Sequence, residues 1–281
     1  MRGKKRYVAL GALSALAARH VVRKRVELKG PHDEWTRSNF HGREVSLSGG
    51  VITAATVTAS AMATSLVSPQ VGFAQAIAAG AGGALGYLDD CQIGPRASEA
   101  KGFHGHLGAL ARGEVTSGVM KIVGIGAGAA VASVALTKRR GNGSLIDFAI
   151  DTALIAGSAN IVNLLDLRPG RALKVSTAAA LAGTAAQAAP ATVAGAVLAA
   201  SLAEIRDDLD ERHMLGDTGA NALGAALGVM AASTLPRSAR IGTVGALVGA
   251  MAASEKVSFS QVIESTPVLS TLDNLGRRTD A

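Results

Sequence analysis

Cysteine is almost absent from this sequence, since Cys91 is the only one among 281 residues. A single cysteine excludes an internal disulfide and any metal site built from several thiolates. Charged residues are also scarce, at 17% of the chain, whereas 48% of residues are hydrophobic and the mean hydropathy is +0.30. A soluble helical protein needs helices with a polar outer face, and most apolar runs here carry no charged stripe at helical spacing. The composition therefore favours a membrane protein over a soluble domain.

The apolar runs predict an all-α fold, a polytopic membrane helix bundle of about nine transmembrane helices that forms one domain over residues 1–281. A membrane-spanning helix needs about 20 mostly apolar residues. We expect Pro190 to mark the turn between two adjacent spans, because proline lacks a backbone donor and disfavours helix just before it. The predicted spans are residues 7–22, 50–67, 71–88, 115–136, 144–165, 174–189, 191–206, 219–235 and 240–254.

Nine spans place five segments on one side of the membrane, and that side is the more basic one. It carries 19 of the 28 lysine and arginine residues. The positive-inside rule makes this side cytoplasmic, so we expect a multi-pass protein of the plasma (inner) membrane with a cytoplasmic active face. The first span has basic residues at both ends and is also compatible with an interfacial helix or a signal peptide. The predicted cytoplasmic segments are residues 23–49, 89–114, 166–173, 207–218 and 255–281.

Polar motifs lie at the predicted cytoplasmic ends of three spans. Asp89 and Asp90 end the third span in "GALGYLDDCQIG", "NIVNLLDLRPGRALK" (160–174) closes the fifth, and "HMLGDTGANALG" (213–224) opens the eighth. Polar residues at membrane depth are expensive unless they serve a function, although acids and amides at helix ends also act as caps. Three such groups on one side favour a shared site.

The spacing within these motifs is compatible with binding of a charged ligand. Asn160, Asn163 and Asp166 recur every three residues, which places them along one face of a helix. Gly216 gives a flexible start to a helix whose free amides are able to meet an anion. Carboxylates bind Mg²⁺, which is held by one or two of them together with substrate phosphates. Basic residues suited to phosphate oxygens are Lys101, Lys121, Arg168, Arg171 and Lys174.

In these motifs the sequence resembles the polyprenyl-phosphate N-acetylhexosamine-1-phosphate transferase superfamily, also called glycosyltransferase family 4, which includes the phospho-N-acetylmuramoyl-pentapeptide transferase of peptidoglycan synthesis. The order is LDD, N-x-x-N-x-x-D and then GDTG, preceded by "HGREVSLSGG" (41–50), which is similar to the family's first cytoplasmic loop. The resemblance extends from about residue 41 to residue 235. It implies transfer of a sugar-1-phosphate from a UDP-sugar to a polyprenyl phosphate, with release of UMP, to begin a lipid-linked cell-envelope glycan.

The resemblance also implies a cofactor, partners and site residues. The cofactor is Mg²⁺, with Mn²⁺ as a substitute, and the partners are polyprenyl phosphate, a UDP-sugar and membrane lipids. We expect no nucleic acid, and a homodimer stays open. The predicted catalytic and metal-binding residues are Asp89, Asp90 and Asp217. The predicted substrate-binding residues are Lys101, Asn160, Asn163, Asp166, Arg168, Arg171 and Gly216.

Two other functions stay open at this stage. The residues that follow the acidic pair are Cys91, Gln92 and Ile93 where many members of the superfamily have a basic residue, and the last segment has no histidine cluster. These departures are compatible with a catalytically silent relative that binds lipid or acts in envelope assembly. A transporter would instead use Asp147 and Asp151, one helical turn apart, as a proton relay.

Overall fold

The structure is a computed structural model that describes residues 2–29, 35–93, 117–141 and 143–278. It confirms the all-α fold class, because it is 82% helical and has eleven helices in these ranges. In chain order the helices are α1 (Arg2–Lys29), α2 (Ser48–Val67), α3 (Pro69–Asp90), α4 (Ser117–Arg140), α5 (Leu145–Leu165), α6 (Arg171–Gly183), α7 (Ala188–Leu209), α8 (Gly216–Thr234), α9 (Arg237–Ser254), α10 (Phe259–Ser265) and α11 (Pro267–Asn274).

Five of the described helices, α2, α3, α4, α5 and α7, are long and apolar enough to cross a membrane. This number is compatible with a multi-pass membrane protein, but the prediction of nine such helices is wrong for the described residues. Helix α6 has 13 residues and is about 20 Å long, against about 30 Å of hydrocarbon. Basic residues interrupt α1, and polar residues lower the hydropathy of α8 and α9.

The turn between the sixth and seventh predicted spans lies earlier than the sequence indicated. Helix α6 ends at Gly183 and α7 begins at Ala188. Pro190 is therefore not at the turn but within the first turn of α7. The first amides of a helix have no intrahelical acceptor, so the missing N–H of proline leaves no hydrogen bond unmade there.

Helix α8 is the centre of the bundle and packs against α2, α3, α5 and α7. Glycines make these contacts close. A Cβ atom at Gly82 would lie 2.8 Å from the Asn221 carbonyl oxygen, and one at Gly228 would lie 2.6 Å from the Ile155 Cα. Small residues thus allow backbone to approach backbone, which is how helices associate where lipid supplies no hydrophobic drive. This packing fixes the start of α8 against its neighbours.

A short antiparallel hairpin follows α1 and was not part of the all-α prediction. Strand β1 (Thr36–Ser38) pairs with β2 (Glu44–Ser46), and Ser46 forms a further bridge to His213. The Met214 backbone amide donates to the Ser46 carbonyl at 2.8 Å. The hairpin therefore holds the loop that leads into α8.

The described parts of the five segments that were predicted to share one side lie at the same end of the bundle, and residues 94–114 of the second segment lie outside the described residues. Gly49 lies against the His213 ring, and the Gly170 amide donates to Asp208 at 2.6 Å. Arg171 pairs with Asp273 of the last segment. We call this region, where α3 ends and α8 begins, the acidic end.

Candidate functional site

Asp90, the last residue of α3, caps the start of α8. Its Oδ1 accepts from the Asp217 amide at 3.1 Å, and its Oδ2 accepts from the Thr218 amide at 2.8 Å and the Thr218 hydroxyl at 2.6 Å. Arg37 of β1 donates to the Asp90 carbonyl. These amides have no intrahelical acceptor, and a carboxylate also complements the positive end of the helix dipole. Asp90 therefore joins the third span to the GDTG motif.

Gly216 makes this arrangement possible. Its φ is +60°, a left-handed conformation that favours glycine. A Cβ atom here would lie 2.9 Å from Oδ2 of Asp90 and 2.8 Å from Cδ2 of Leu47. The conformation and the close contact both require glycine at the entrance to α8.

Lys121 lies between the other two predicted catalytic acids. Its Nζ is 3.0 Å from Oδ2 of Asp89 and also donates to Oδ2 of Asp217. These two carboxyl groups come from α3 and α8, while Lys121 belongs to the first turns of α4. The three acids that the sequence predicted therefore converge, and a cationic group binds two of them.

Asp166, directly after α5, adds a fourth carboxyl group to the cluster. Loss of hydration raises the pKa of Asp166 well above its usual value. The negative charges of Asp208, Asp217 and Asp90 raise this pKa further, and a hydrogen bond from the Gly216 amide acts against them. The carboxyl groups of the acidic end therefore oppose one another's ionisation, and Asp166 keeps its proton to a higher pH than an exposed aspartate does.

The two asparagines of the N-x-x-N-x-x-D motif lie in the last two turns of α5 and are half-buried. Oδ1 of Asn163 is buried and has no hydrogen-bond partner in the described part of the chain. A buried amide oxygen without a donor is costly, but Asn163 lines neither of the cavities described below. No contact in the described residues assigns a role to Asn160.

The predicted basic residues are divided between different places. The Arg168 guanidinium lies 3.3 Å from the centre of the Phe40 ring and 3.0 Å from Oε1 of Glu264. Arg171 is 3% exposed and is occupied by Asp273, at 2.7 and 2.8 Å, and by Ser260. The structure therefore does not bring Arg171 into the cluster. Lys101 lies outside the described residues.

Two concave surfaces adjoin the acidic cluster. A cavity of about 420 Å³ lies between the hairpin and the loops after α5 and α7, and its lining includes Asp166, Arg168, Asp208 and Glu211. A groove of about 440 Å³ runs between α2 and α3 and is lined mainly by small apolar residues. The groove reaches Thr218, whose hydroxyl donates to Asp90. The cavity has several charged residues among its lining, whereas the groove has none. Each surface includes a residue of the cluster or its direct partner.

The donor set fits a hard divalent cation only in part. Asp89 and Asp217 offer carboxylate oxygens to the same Lys121 ammonium. Within the described part of the chain, however, neither belongs to a set of three side chains whose ligand atoms all lie within 4.8 Å of one another. Both oxygens of Asp90 already accept hydrogen bonds from α8. The predicted metal ligands that remain for Mg²⁺ are therefore Asp89 and Asp217, which would first have to release Lys121, whereas Asp90 fits a positioning role.

Several contacts at the acidic end have no sequence signal of their own. Lys121 was grouped with other cations as a phosphate ligand, but its link to Asp217 crosses 96 positions. Thr218 and Arg37, which hold Asp90, are ordinary polar residues in the sequence. Glu211 binds Asn39 at 2.6 Å and His41 at 2.8 Å. Each of these pairs is recognisable only once the helices are assembled.

The chain matches no protein-family model, and no curated protein matches it. The resemblance to the transferase superfamily therefore stands on the motifs themselves.

Proposed function

We propose that this protein is a phosphoglycosyltransferase of the membrane that transfers a sugar-1-phosphate from a UDP-sugar to a polyprenyl phosphate. The observation that carries the proposal is the convergence of Asp89, Asp90 and Asp217 at one end of an apolar helix bundle, with Lys121 bound between two of them. Residues of three short motifs that are far apart in sequence lie near one another there, and the order of these motifs along the chain is the one that the superfamily uses.

The two concave surfaces support one soluble and one lipid substrate. An isoprenoid chain fits the groove between α2 and α3, because its walls are small and apolar and face outward from the bundle. The cavity between the hairpin and the loops after α5 and α7 would suit the UDP-sugar, with Arg168 offering a cation. The phosphate groups of both substrates would then meet beside Asp217.

Residues of this chain supply most of the proposed chemistry. Lys121 would release its carboxylates to neutralise charge on the diphosphate, and Asp89 would accept a hydrogen bond from, or deprotonate, the lipid phosphate. Asp90 would keep the start of α8 in place so that Asp217 stays aimed at the donor. Mg²⁺, held by Asp217 with Asp89, would supply charge neutralisation for the leaving UMP.

The finer membrane topology is part of the same proposal. The additional helices α1, α8 and α9 would complete the bundle around the five apolar ones, and the acidic end would face the cytoplasm of the plasma (inner) membrane. The excess of lysine and arginine in the segments at this end supports that orientation. A cytoplasmic acidic end would be accessible to a soluble sugar nucleotide.

The test is release of UMP by the full chain purified in detergent. The assay supplies a panel of UDP-sugars, undecaprenyl or decaprenyl phosphate, and Mg²⁺. We expect one donor to give UMP only when lipid phosphate is present, with at least a hundredfold loss in Asp89→Asn and Asp217→Asn. Asp210→Asn is the matched control, because Asp210 pairs with Arg212 at the surface. Equal UMP from all four proteins would overturn the proposal.

A catalytically silent, lipid-binding relative is the second candidate. It is favoured by the Lys121 ammonium, which already neutralises Asp89 and Asp217 and so stabilises the bundle without a metal. This candidate predicts binding of polyprenyl phosphate in the groove with no UMP from any donor. Binding of the lipid together with turnover supports the enzyme.

A further inference from the structure

We propose that Glu204, Asp207 and His213 form a binding site for a divalent transition metal ion, for which Zn²⁺ is the probe. The site is separate from the residues assigned to Mg²⁺ and does not depend on the transferase proposal. Two ligands would come from the last turns of α7, and the third from the loop that enters α8. One carboxylate or imidazole atom from each residue lies within 4.8 Å of the others.

Of the two separations measured from the His213 ring, one lies in the range found around a metal ion and the other is about 0.3 Å too short, so Glu204 and His213 would move slightly apart to admit an ion. Nε2 of His213 is 3.0 Å from Oε2 of Glu204 and 3.5 Å from Oδ2 of Asp207. A tetrahedral ion with bonds of about 2.0 to 2.2 Å keeps its ligand atoms roughly 3.3 to 3.6 Å apart. Imidazole nitrogen and carboxylate oxygen are both ligand atoms that zinc accepts, and three protein ligands leave a fourth position open.

Unpartnered buried atoms provide a second observation. Glu204 is 1% exposed and His213 is 8% exposed. Oε2 of Glu204 and Nε2 of His213 face each other, yet neither makes a hydrogen bond of acceptable geometry with any described residue. Buried polar atoms without partners are rare, and an ion between them would satisfy both.

The surroundings hold these groups in position. Arg19 of α1 binds Oε1 of Glu204 and leaves Oε2 directed at His213. Arg23, at 3.1 Å, donates to Oδ2 of Asp207, which a metal would share. Such outer contacts orient carboxylate ligands in known metal sites. Gly49 lies against the imidazole, where a Cβ atom would overlap the ring, so the ring orientation is fixed as well.

An ion here would connect α1 and α7 with the loop that ends at Gly216. The Met214 amide already joins this loop to β2, and the Leu215 amide donates to Asp208 at 3.1 Å. Occupancy would therefore stiffen the approach to Asp217 without contacting substrate. We infer a structural role that sets the order of the acidic end.

The experiment uses the full chain in detergent, freed of metal with a chelator and then mixed with Zn²⁺. We expect the wild-type protein to retain one equivalent of Zn²⁺ after gel filtration and to melt at a higher temperature with it. Glu204→Gln and His213→Gln should weaken binding at least tenfold. His41→Gln is the matched control, because His41 makes a comparable ion pair with Glu211.

Two further readouts separate this site from others. Replacement of Zn²⁺ by Co²⁺ in the wild-type protein reports the coordination of the ion through its visible spectrum. This readout needs no variant, so it is unaffected if a variant fails to fold. Asp217→Asn should still retain one equivalent of Zn²⁺ although it loses UMP release. The metal-site proposal and the transferase proposal are therefore tested independently. A wild-type protein that retains no Zn²⁺, or a His213→Gln variant that retains as much as wild type, would overturn the site.

Discussion

Gly86 of α3 lies directly against the backbone carbonyl of Asp217 in α8, so closely that a Cβ atom at position 86 would overlap it. This contact sets the distance between the helix that carries Asp89 and Asp90 and the helix that carries Asp217. The site geometry therefore depends on a residue that has no chemistry of its own.

Gly86→Ala should separate α3 from α8 and disrupt the site. Overpacking of this kind costs about 1 to 3 kcal/mol, and we expect UMP release to fall at least tenfold in the protein that still folds. Gly126→Ala, in α4, is the control, because a Cβ atom there would meet nothing within 4 Å. Thermal unfolding and the UMP assay compare the two. Equal melting temperatures and equal UMP release in both variants would show that the Gly86 contact does not determine the site geometry.

Lys121→Met should expose two carboxylates that no longer share a cation. Asp89 and Asp217 would then repel each other, so the variant should be less stable without divalent ions and should gain more stability from Mg²⁺ than wild type does. The measurement is the melting temperature as a function of Mg²⁺ concentration. Lys138→Met, an exposed position near the other end of α4, should leave the wild-type response unchanged. A smaller Mg²⁺ response in Lys121→Met would contradict the assignment.

Asp166→Asn should stabilise the metal-free protein at alkaline pH. Loss of hydration and the neighbouring carboxylates raise the pKa of Asp166, so the folded state binds its proton more tightly than the unfolded state does. The free energy of unfolding then falls as pH rises from the pKa of the unfolded state, about 3.9, through the raised pKa of the folded state. Asparagine does not ionise, so the variant should not show this loss of stability. Melting temperatures in chelator should favour the variant at pH 8 and converge with wild type near pH 4. Asp210→Asn should show no such gain.

Asp151→Asn tests the transporter interpretation. Asp151 is buried at the opposite end of the bundle, where Arg140 at 2.6 Å and Arg240 at 2.5 Å donate to it. Removal of its charge should cost about 3 to 5 kcal/mol, because Arg240 is also buried. Folded protein should nevertheless keep its UMP release. A double variant with Arg140→Gln should recover part of the stability, whereas a proton relay would instead show proton flux that the substitution abolishes.

The helices were predictable because long apolar runs between polar motifs leave little choice of structure. Each predicted span overlaps one helix of the bundle, except that 174–189 covers most of α6 and the first residues of α7. The number of membrane-spanning helices was not predictable, because α6 has only 13 residues and the turn that follows it precedes Pro190. The convergence of Asp89 and Asp217 followed from the predicted side of each motif. The pairing of Arg171 with Asp273 could not be predicted from the motifs, because the two residues are 102 positions apart and are brought together by tertiary packing.

The hairpin and the Glu204 cluster were missed for a related reason. Strands of three residues carry no recognisable alternation, and β1 and β2 are held by His213 and its loop rather than by their own pattern. Glu204 and Asp207 look like the polar end of an ordinary helix. Only their juxtaposition with His213 makes them a candidate metal site.

The most direct test of the transferase proposal is the balance of its two products. The purified protein is given a UDP-sugar labelled in the β-phosphate, polyprenyl phosphate and Mg²⁺, and both UMP and organic-soluble label are measured. We predict equal amounts of UMP and labelled polyprenyl diphosphate sugar from wild type and Asp210→Asn, and neither product from Asp217→Asn. Absence of labelled lipid from wild type with every donor, or its undiminished formation by Asp217→Asn, would contradict the account.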